Sequence, residues 1–199
     1  MGKIRFLKSP IVIVGFCLVI VLGTFFLYLS TLLPPGTEQA LNPKGDFTLT
    51  ESSGKEFHLR DLKGQVVLLF FGYTTCPDAC PIALTKISRA MDRLGPGNKN
   101  VTTVFVTVDP EQDTPAKLSE YLGFFGVNAL GLTGTKAQID TVVQAYHAYY
   151  LKNPGESALG YTISHTVTIY LIDKKGKVRF LFHPEDTAEK MAETITKFL

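Results

Sequence analysis

The sequence predicts an α/β domain with a mixed sheet, carried behind one transmembrane helix. Three observations predict it. From Asp46 onward, segments of strand character alternate with segments of helical spacing. The apolar run Val66–Gly72 has the length of a strand buried on both faces and is too short for a helix. An earlier run, Ile11–Leu33, carries no charge over 23 residues; at about 1.5 Å per residue it reaches roughly 34 Å, enough to span a bilayer core.

The anchor has matching ends. Pro10 suits a first helical position, and Pro34-Pro35-Gly36 stops the helix. Lys3, Arg5 and Lys8 precede the span and no basic residue follows it until Lys44, which places the N-terminus in the cytoplasm. A cleaved signal peptide fits less well, because the run is long and no small-x-small site follows it. Cys17, inside the run and preceded by Phe16, reads as a small apolar residue in lipid. The expected organisation is a cytoplasmic stretch 1–10, a transmembrane anchor 11–33, a linker 34–45 and one domain 46–199. A basic N-terminus without an Arg- and Ser-rich presequence points to a bacterial cytoplasmic membrane with the domain in the periplasm.

The 199 residues allow one ordinary domain plus the anchor. Of 20 basic residues three precede the span, so the remainder holds 17 against 18 acidic ones, about −1. That balance excludes a nucleic-acid footprint. Three cysteines are too few for a disulfide scaffold, and only Cys76 and Cys80 fall in the domain. Nothing argues for a stable oligomer, and a monomer is expected.

In order, Asp46–His58 alternates on both sides of Ser53-Gly54 and predicts a β-hairpin. Val66–Gly72 is a central strand. Leu84, Ile87, Met91 and Leu94 keep helical spacing after Pro81, with Gly95-Pro96-Gly97 as the stop. Val101–Val108 is a second central strand. Thr114 is an N-cap with Pro115 at the first helical position, and Leu118, Tyr121, Leu122 and Phe125 form the buried face. Leu130–Thr133 is a short strand. Thr135-x-x-Gln138 is a capping box for a helix that places Ile139, Val142, Val143, Tyr146 and Tyr150 on one side. Asn153–Gly160 reads as a loop. Thr166–Ile172 and Val178–Phe182 flank the hairpin signal Asp173-Lys-Lys-Gly176, and Asp186-x-x-Glu189 caps a last helix. A strand ending in a cysteine pair at a helix start, followed later by an antiparallel hairpin and a helix, suggests a thioredoxin-like arrangement with an N-terminal β-hairpin extension.

Cys76 and Cys80 stand four residues apart at that helix start. Free N–H groups and the helix dipole favour the thiolate there, which is both the nucleophile and the metal ligand. Two thiolates with a neutral imidazole make a soft set suited to Cu(I). A structural disulfide is the alternative, but so short a loop constrains the unfolded chain little.

The chain resembles the Sco/SenC family of thioredoxin-like proteins. The resemblance is carried by Gly72-Tyr-Thr-Thr-Cys76-Pro77-Asp78-Ala-Cys80-Pro81. Val108-Asp109-Pro110-x-x-Asp113-Thr114, Gly131-Leu132-Thr133-Gly134 and Tyr161-x-x-x-His165-Thr166 support it. It covers about Asp46–Leu199, and the anchor is typical of the family. It implies copper, as Cu(I) or Cu(II), held by Cys76, Cys80 and His165. It also implies assembly of the binuclear copper site of cytochrome c oxidase, with subunit II and other periplasmic copper chaperones as partners. Asp109 and Asp113 match the family's acidic loop positions, where a turn-former and a helix-start charge suffice as a reading. Ser164 stands where the family commonly has Asp. His165 is expected at the start of the Thr166–Ile172 strand. His58, His147 (on a helix) and His183 are expected outside the site. A copper carrier, rather than an enzyme, is the leading expectation. A thiol–disulfide oxidoreductase using Cys76 and Cys80 as its redox pair, or a redox or copper sensor, is the alternative. The absence of Trp and the extra spacer residue set the pair apart from a thioredoxin-type Cys-x-x-Cys.

Overall fold

The computed structural model describes residues 18–25, 46–155 and 160–199. The chain divides into two units, Met1–Ala40 and Leu41–Leu199. In the first, residues 18–25 are helical, with Leu18, Val19, Val21 and Leu22 exposed. The stretch 1–10, the anchor expected over 11–33 apart from 18–25, and the linker expected over 34–45 lie outside the described residues. Among the described residues no helix is long and apolar enough to cross a membrane.

The second unit runs β1 (Thr48–Glu51), β2 (Glu56–His58), β3 (Val66–Gly72), α1 (Ala79–Leu94), β4 (Val101–Thr107), α2 (Pro115–Gly123) and β5 (Ala129–Thr133). It continues with α3 (Lys136–Ala145), β6 (Tyr150–Pro154), β7 (Tyr161–His165), β8 (Ile169–Ile172), β9 (Val178–Phe182) and α4 (Ala188–Thr196). Seven strands form one sheet in the order β2-β1-β5-β4-β3-β8-β9, and β6 pairs with β7 in a separate hairpin. β3, β4 and β5 are parallel, while β1 and β8 join them antiparallel. The expected mixed α/β architecture and the β1–β2 hairpin extension are present.

Every residue of β3 and β4 is buried, as strands covered on both faces require. Alternate side chains of β3 face opposite layers. On one face Phe70 meets Phe105, which meets Tyr121 of α2. On the other, Phe71 packs edge-on against Tyr146 and Tyr170. α1 buries Cys80, Leu84, Ile87 and Met91 at helical spacing, and α4 packs against it through a stripe including Met191 and Ile195.

Four local expectations are corrected. α1 begins at Ala79, so Pro81 lies inside its first turn, where a missing N–H breaks no helical bond. α3 ends at Ala145, because His147 takes φ 51° and turns the chain; Tyr150 therefore lies on β6 and His147 in a turn. The segment read as the loop Asn153–Gly160 instead opens in strand β6, which pairs with β7 from Tyr150↔His165 to Pro154↔Tyr161. The strand read as Thr166–Ile172 is interrupted: β7 closes on His165 and β8 opens at Ile169, so His165 ends a strand. In addition, Thr187 rather than Asp186 caps α4, accepting from the Lys190 N–H, while Asp186 accepts from the His183 N–H.

Candidate metal centre

The end of β3 delivers the chain into the turn Tyr73–Asp78, and α1 starts at its far side. Cys76 lies in the turn and Cys80 in the first turn of α1. The turn is fixed from three directions. The Cys76 N–H donates to the Tyr73 carbonyl (3.2 Å). Buried Asp113 accepts from the Thr74 N–H (3.0 Å), from the Thr74 hydroxyl (2.5 Å) and from the Thr107 hydroxyl at the end of β4 (2.6 Å). The Tyr73 hydroxyl accepts from the Ile163 N–H of β7 (3.2 Å), which ties the turn to the strand that carries His165.

The β6–β7 hairpin brings His165 over the cysteines. Its Nε2 lies 3.4 Å from Cys80 Sγ and 3.9 Å from Cys76 Sγ. The three ligand atoms all lie within 4.8 Å of one another, in buried surroundings. The ring stands edge-on to Tyr73 and Phe70. His165 Nδ1 is 2.9 Å from the Thr166 carbonyl oxygen. A carbonyl only accepts, so Nδ1 carries the proton, and a neutral ring presents the bare Nε2 lone pair to the sulfurs. This is the orientation a metal-binding imidazole needs.

The two thiols are distinct. The Cys76 thiol is pulled down to about 3, first by a hydrogen bond from Cys80, against burial, and further by the N–H groups of Asp78 and Cys80. Cys80 is pushed up by that same hydrogen bond and then by burial. The asymmetry favours the thiolate on Cys76, which lines the mouth of the site, with Cys80 as the thiol behind it. The Cys80 N–H also points at Cys76 Sγ (3.4 Å). The sulfurs are not joined to each other. A soft S₂N donor set with a free imidazole lone pair fits a copper ion.

His58, His147 and His183 stand apart, as expected. His58 bonds Thr48, and His147 and His183 are exposed. Asp109 and Asp113 are more than a turn-former and a helix-start charge, since both are buried. Asp109 accepts from the Tyr161 hydroxyl (2.7 Å) and lies 3.5 Å from Lys152, which joins the hairpin to the loop after β4. Ser164 is exposed at the mouth over Cys76 and His165, and its hydroxyl accepts from Asn153 Nδ2 (2.8 Å) rather than bonding the ring.

The sequence matches the family model described as SCO1/SenC over residues 35–199. The chain belongs to the SCO1/SenC family. Protein SenC of Rhodobacter capsulatus is 39% identical over 156 residues, covering 78% of this chain and 70% of that one. The SCO2-like protein of Rickettsia conorii is 33% identical over 191 residues, covering 92% and 93% of the two chains. Among solved structures, ScoI of Bradyrhizobium japonicum, determined with copper bound, superposes with a TM-score of 0.72 at 39% identity, covering 78% of this chain and 98% of that one. The likeness confirms the thioredoxin-like Sco fold.

Proposed function

We propose that the chain is a membrane-anchored copper carrier in which Cys76, Cys80 and His165 hold one copper ion for the binuclear site of cytochrome c oxidase subunit II. The Sco family is one of copper-binding proteins of cytochrome c oxidase assembly. The observation that carries the reading is the convergence of two sulfurs and a bare imidazole Nε2 within 4.8 Å. Two sulfurs and one nitrogen suit Cu(I), and the imidazole also admits Cu(II). Copper here is cargo, so the site must release it as well as bind it. The position of Cys76 beside the open side supports that.

The uncharged run 11–33 would tether the domain to the cytoplasmic membrane, with 34–45 as linker, and the basic residues before it would leave the domain in the periplasm. The test is titration of the full chain in detergent with Cu(I) and, separately, Cu(II), beside His165→Ala and Cys76→Ser/Cys80→Ser. The expected result is one-to-one binding that is lost without the cysteines and weakened without His165. Unchanged affinity in His165→Ala would remove the third ligand from the proposal.

The asymmetry of the two thiols favours a second reading. A thiolate on Cys76 with a protonated Cys80 behind it is arranged for thiol–disulfide exchange. Cys76 would attack a partner disulfide and release one partner thiol. Cys80 would then displace the second, leaving Cys76 joined to Cys80. A reduced protein that binds no copper but reduces an oxidised copper-site peptide would select this reading.

A further inference from the structure

The outer side of α1 carries Ile82, Lys86, Arg89 and Arg93, spaced four, three and four residues apart, so they form one stripe along the helix. Ile82 is 56% exposed, large for an apolar residue beside a functional centre. Lys86 donates to the Pro184 carbonyl (2.6 Å), and Arg93 pairs with Glu189 at the start of α4. The Arg89 guanidinium has no side-chain partner among the described residues and is exposed. The stripe lines a groove between α1 and the start of α4 in which three cations face one carboxylate, Glu189.

This groove is continuous with the metal centre. Ile82 and Lys86 also line a second depression together with Asp78, Ala79 and Val167. Asp78, Ala79 and Val167 in turn line the mouth that opens on Cys76 and His165. A path therefore leads from the cysteines over an exposed isoleucine to the basic groove. From Ala79 to Arg93 it follows α1 for about 21 Å, the length of an extended peptide of roughly six residues.

We infer that this stripe is the docking surface for an acidic polypeptide segment of the protein that exchanges copper with the centre. The inference rests on the copper-carrier reading. The charge of the groove selects an acidic occupant. Its lining, which runs along α1 from Pro81 to Arg93 with the start of α4 as the other wall, matches a chain segment laid along the helix rather than a flat lipid surface. Exposed cations at the rim of such a contact act chiefly on the association rate and its salt dependence. Ile82 supplies the apolar contact nearest the mouth.

The full chain in detergent, loaded with Cu(I), would be mixed with a fluorescent oligoglutamate peptide and followed by polarisation. The variant is Lys86→Gln/Arg89→Gln/Arg93→Gln, which touches no residue of the centre and removes one exposed ion pair, Arg93–Glu189, and the hydrogen bond from Lys86 to the Pro184 carbonyl, each worth little to the fold. The wild type is expected to bind the peptide with an affinity that falls steeply with salt, and the variant at least about tenfold more weakly. Arg89→Glu alone is expected to act in the same direction. Intact Cu(I) binding with equal peptide affinity in wild type and variants overturns the docking surface alone. Failure of the wild type to bind Cu(I) overturns the carrier reading and this inference with it. No peptide binding, with Arg89 shielded from phenylglyoxal only in vesicles containing phosphatidylglycerol, assigns the stripe to a lipid surface and overturns the proposal.

Discussion

A methyl group placed on Gly72 would lie 2.7 Å from the sulfur of Cys80 and 2.8 Å from the ring of Phe105. Gly72 has no positive φ, so space rather than backbone freedom requires glycine there. The last residue of β3 is in effect the floor of the metal centre. Gly72→Ala must push Cys80 or Phe105 aside, and overpacking of this kind costs about 1–3 kcal/mol. The expected outcome is a lower urea midpoint together with weaker Cu(I) binding in a chelator competition. Loss of stability with unchanged copper affinity would show that Phe105 alone yields.

The asymmetry of the cysteines predicts their chemistry. With Cys76 pulled down to about 3, its thiolate fraction is already complete well below neutral pH and does not change above it. Alkylation of reduced, copper-free protein by iodoacetamide should therefore label Cys76 at pH 5 nearly as fast as at pH 8, and leave Cys80 unlabelled. Cys80→Ala removes the largest cause of the depression, so the Cys76 rate should then rise with pH. Mass spectrometry of the labelled peptide reads both. A wild-type rate that climbs through the ordinary thiol range would contradict the thiolate on Cys76.

Asp113 predicts a pH-dependent stability. Burial raises its carboxyl above the usual range, against the hydrogen bonds from Thr107 and Thr74. The folded state thus holds the proton more tightly than the unfolded one. This contribution is fully present below the ordinary value near 3.8 and is lost as pH rises through the raised folded value. Asp113→Asn loses the contribution and turns an amide N–H₂ toward donors. At neutral pH the variant should lose about 1–3 kcal/mol. The gap to wild type should widen as pH falls through the carboxylate range. Urea unfolding at several pH values checks the sign, and a gap that narrows with acid would refute the assignment.

The legible parts of the molecule were those whose cause is local. Val66–Gly72 and Val101–Thr107 read as buried strands because every residue is apolar or β-branched. The cysteine pair read as a site because four residues of spacing decide it. His165 lies 85 residues from Cys80, and only the family resemblance could connect them. The β6–β7 hairpin was hidden because β6 packs little: Leu151 and Lys152 are exposed and Pro154 ends it, so no alternating pattern marks a strand. The end of α3 was hidden because Tyr146 and Tyr150 keep helical spacing, while His147 turns the chain at a positive φ without a glycine to announce it. Asp113 before Thr-Pro looks like a helix-start charge, and its burial is set by Thr74, 39 residues away.

The place of Ser164 yields the last prediction. The family resemblance leads one to expect Asp at this position, a carboxylate that would orient the imidazole. In this chain the proton on His165 Nδ1 is already held by the Thr166 carbonyl at 2.9 Å. Neighbouring residues of a strand point to opposite faces, and Ser164 turns to Asn153 instead. A carboxylate introduced by Ser164→Asp therefore has the Asn153 amide, not the ring, as its nearest donor. The tautomer and the Nε2 lone pair should stay as they are, and Cu(I) affinity should change by less than about threefold, under 1 kcal/mol. A rise in affinity above tenfold, with a downfield shift of the His165 Nδ1 proton in the NMR spectrum, would mean that the carboxylate reaches the ring and that the carbonyl holds it less firmly than the geometry implies.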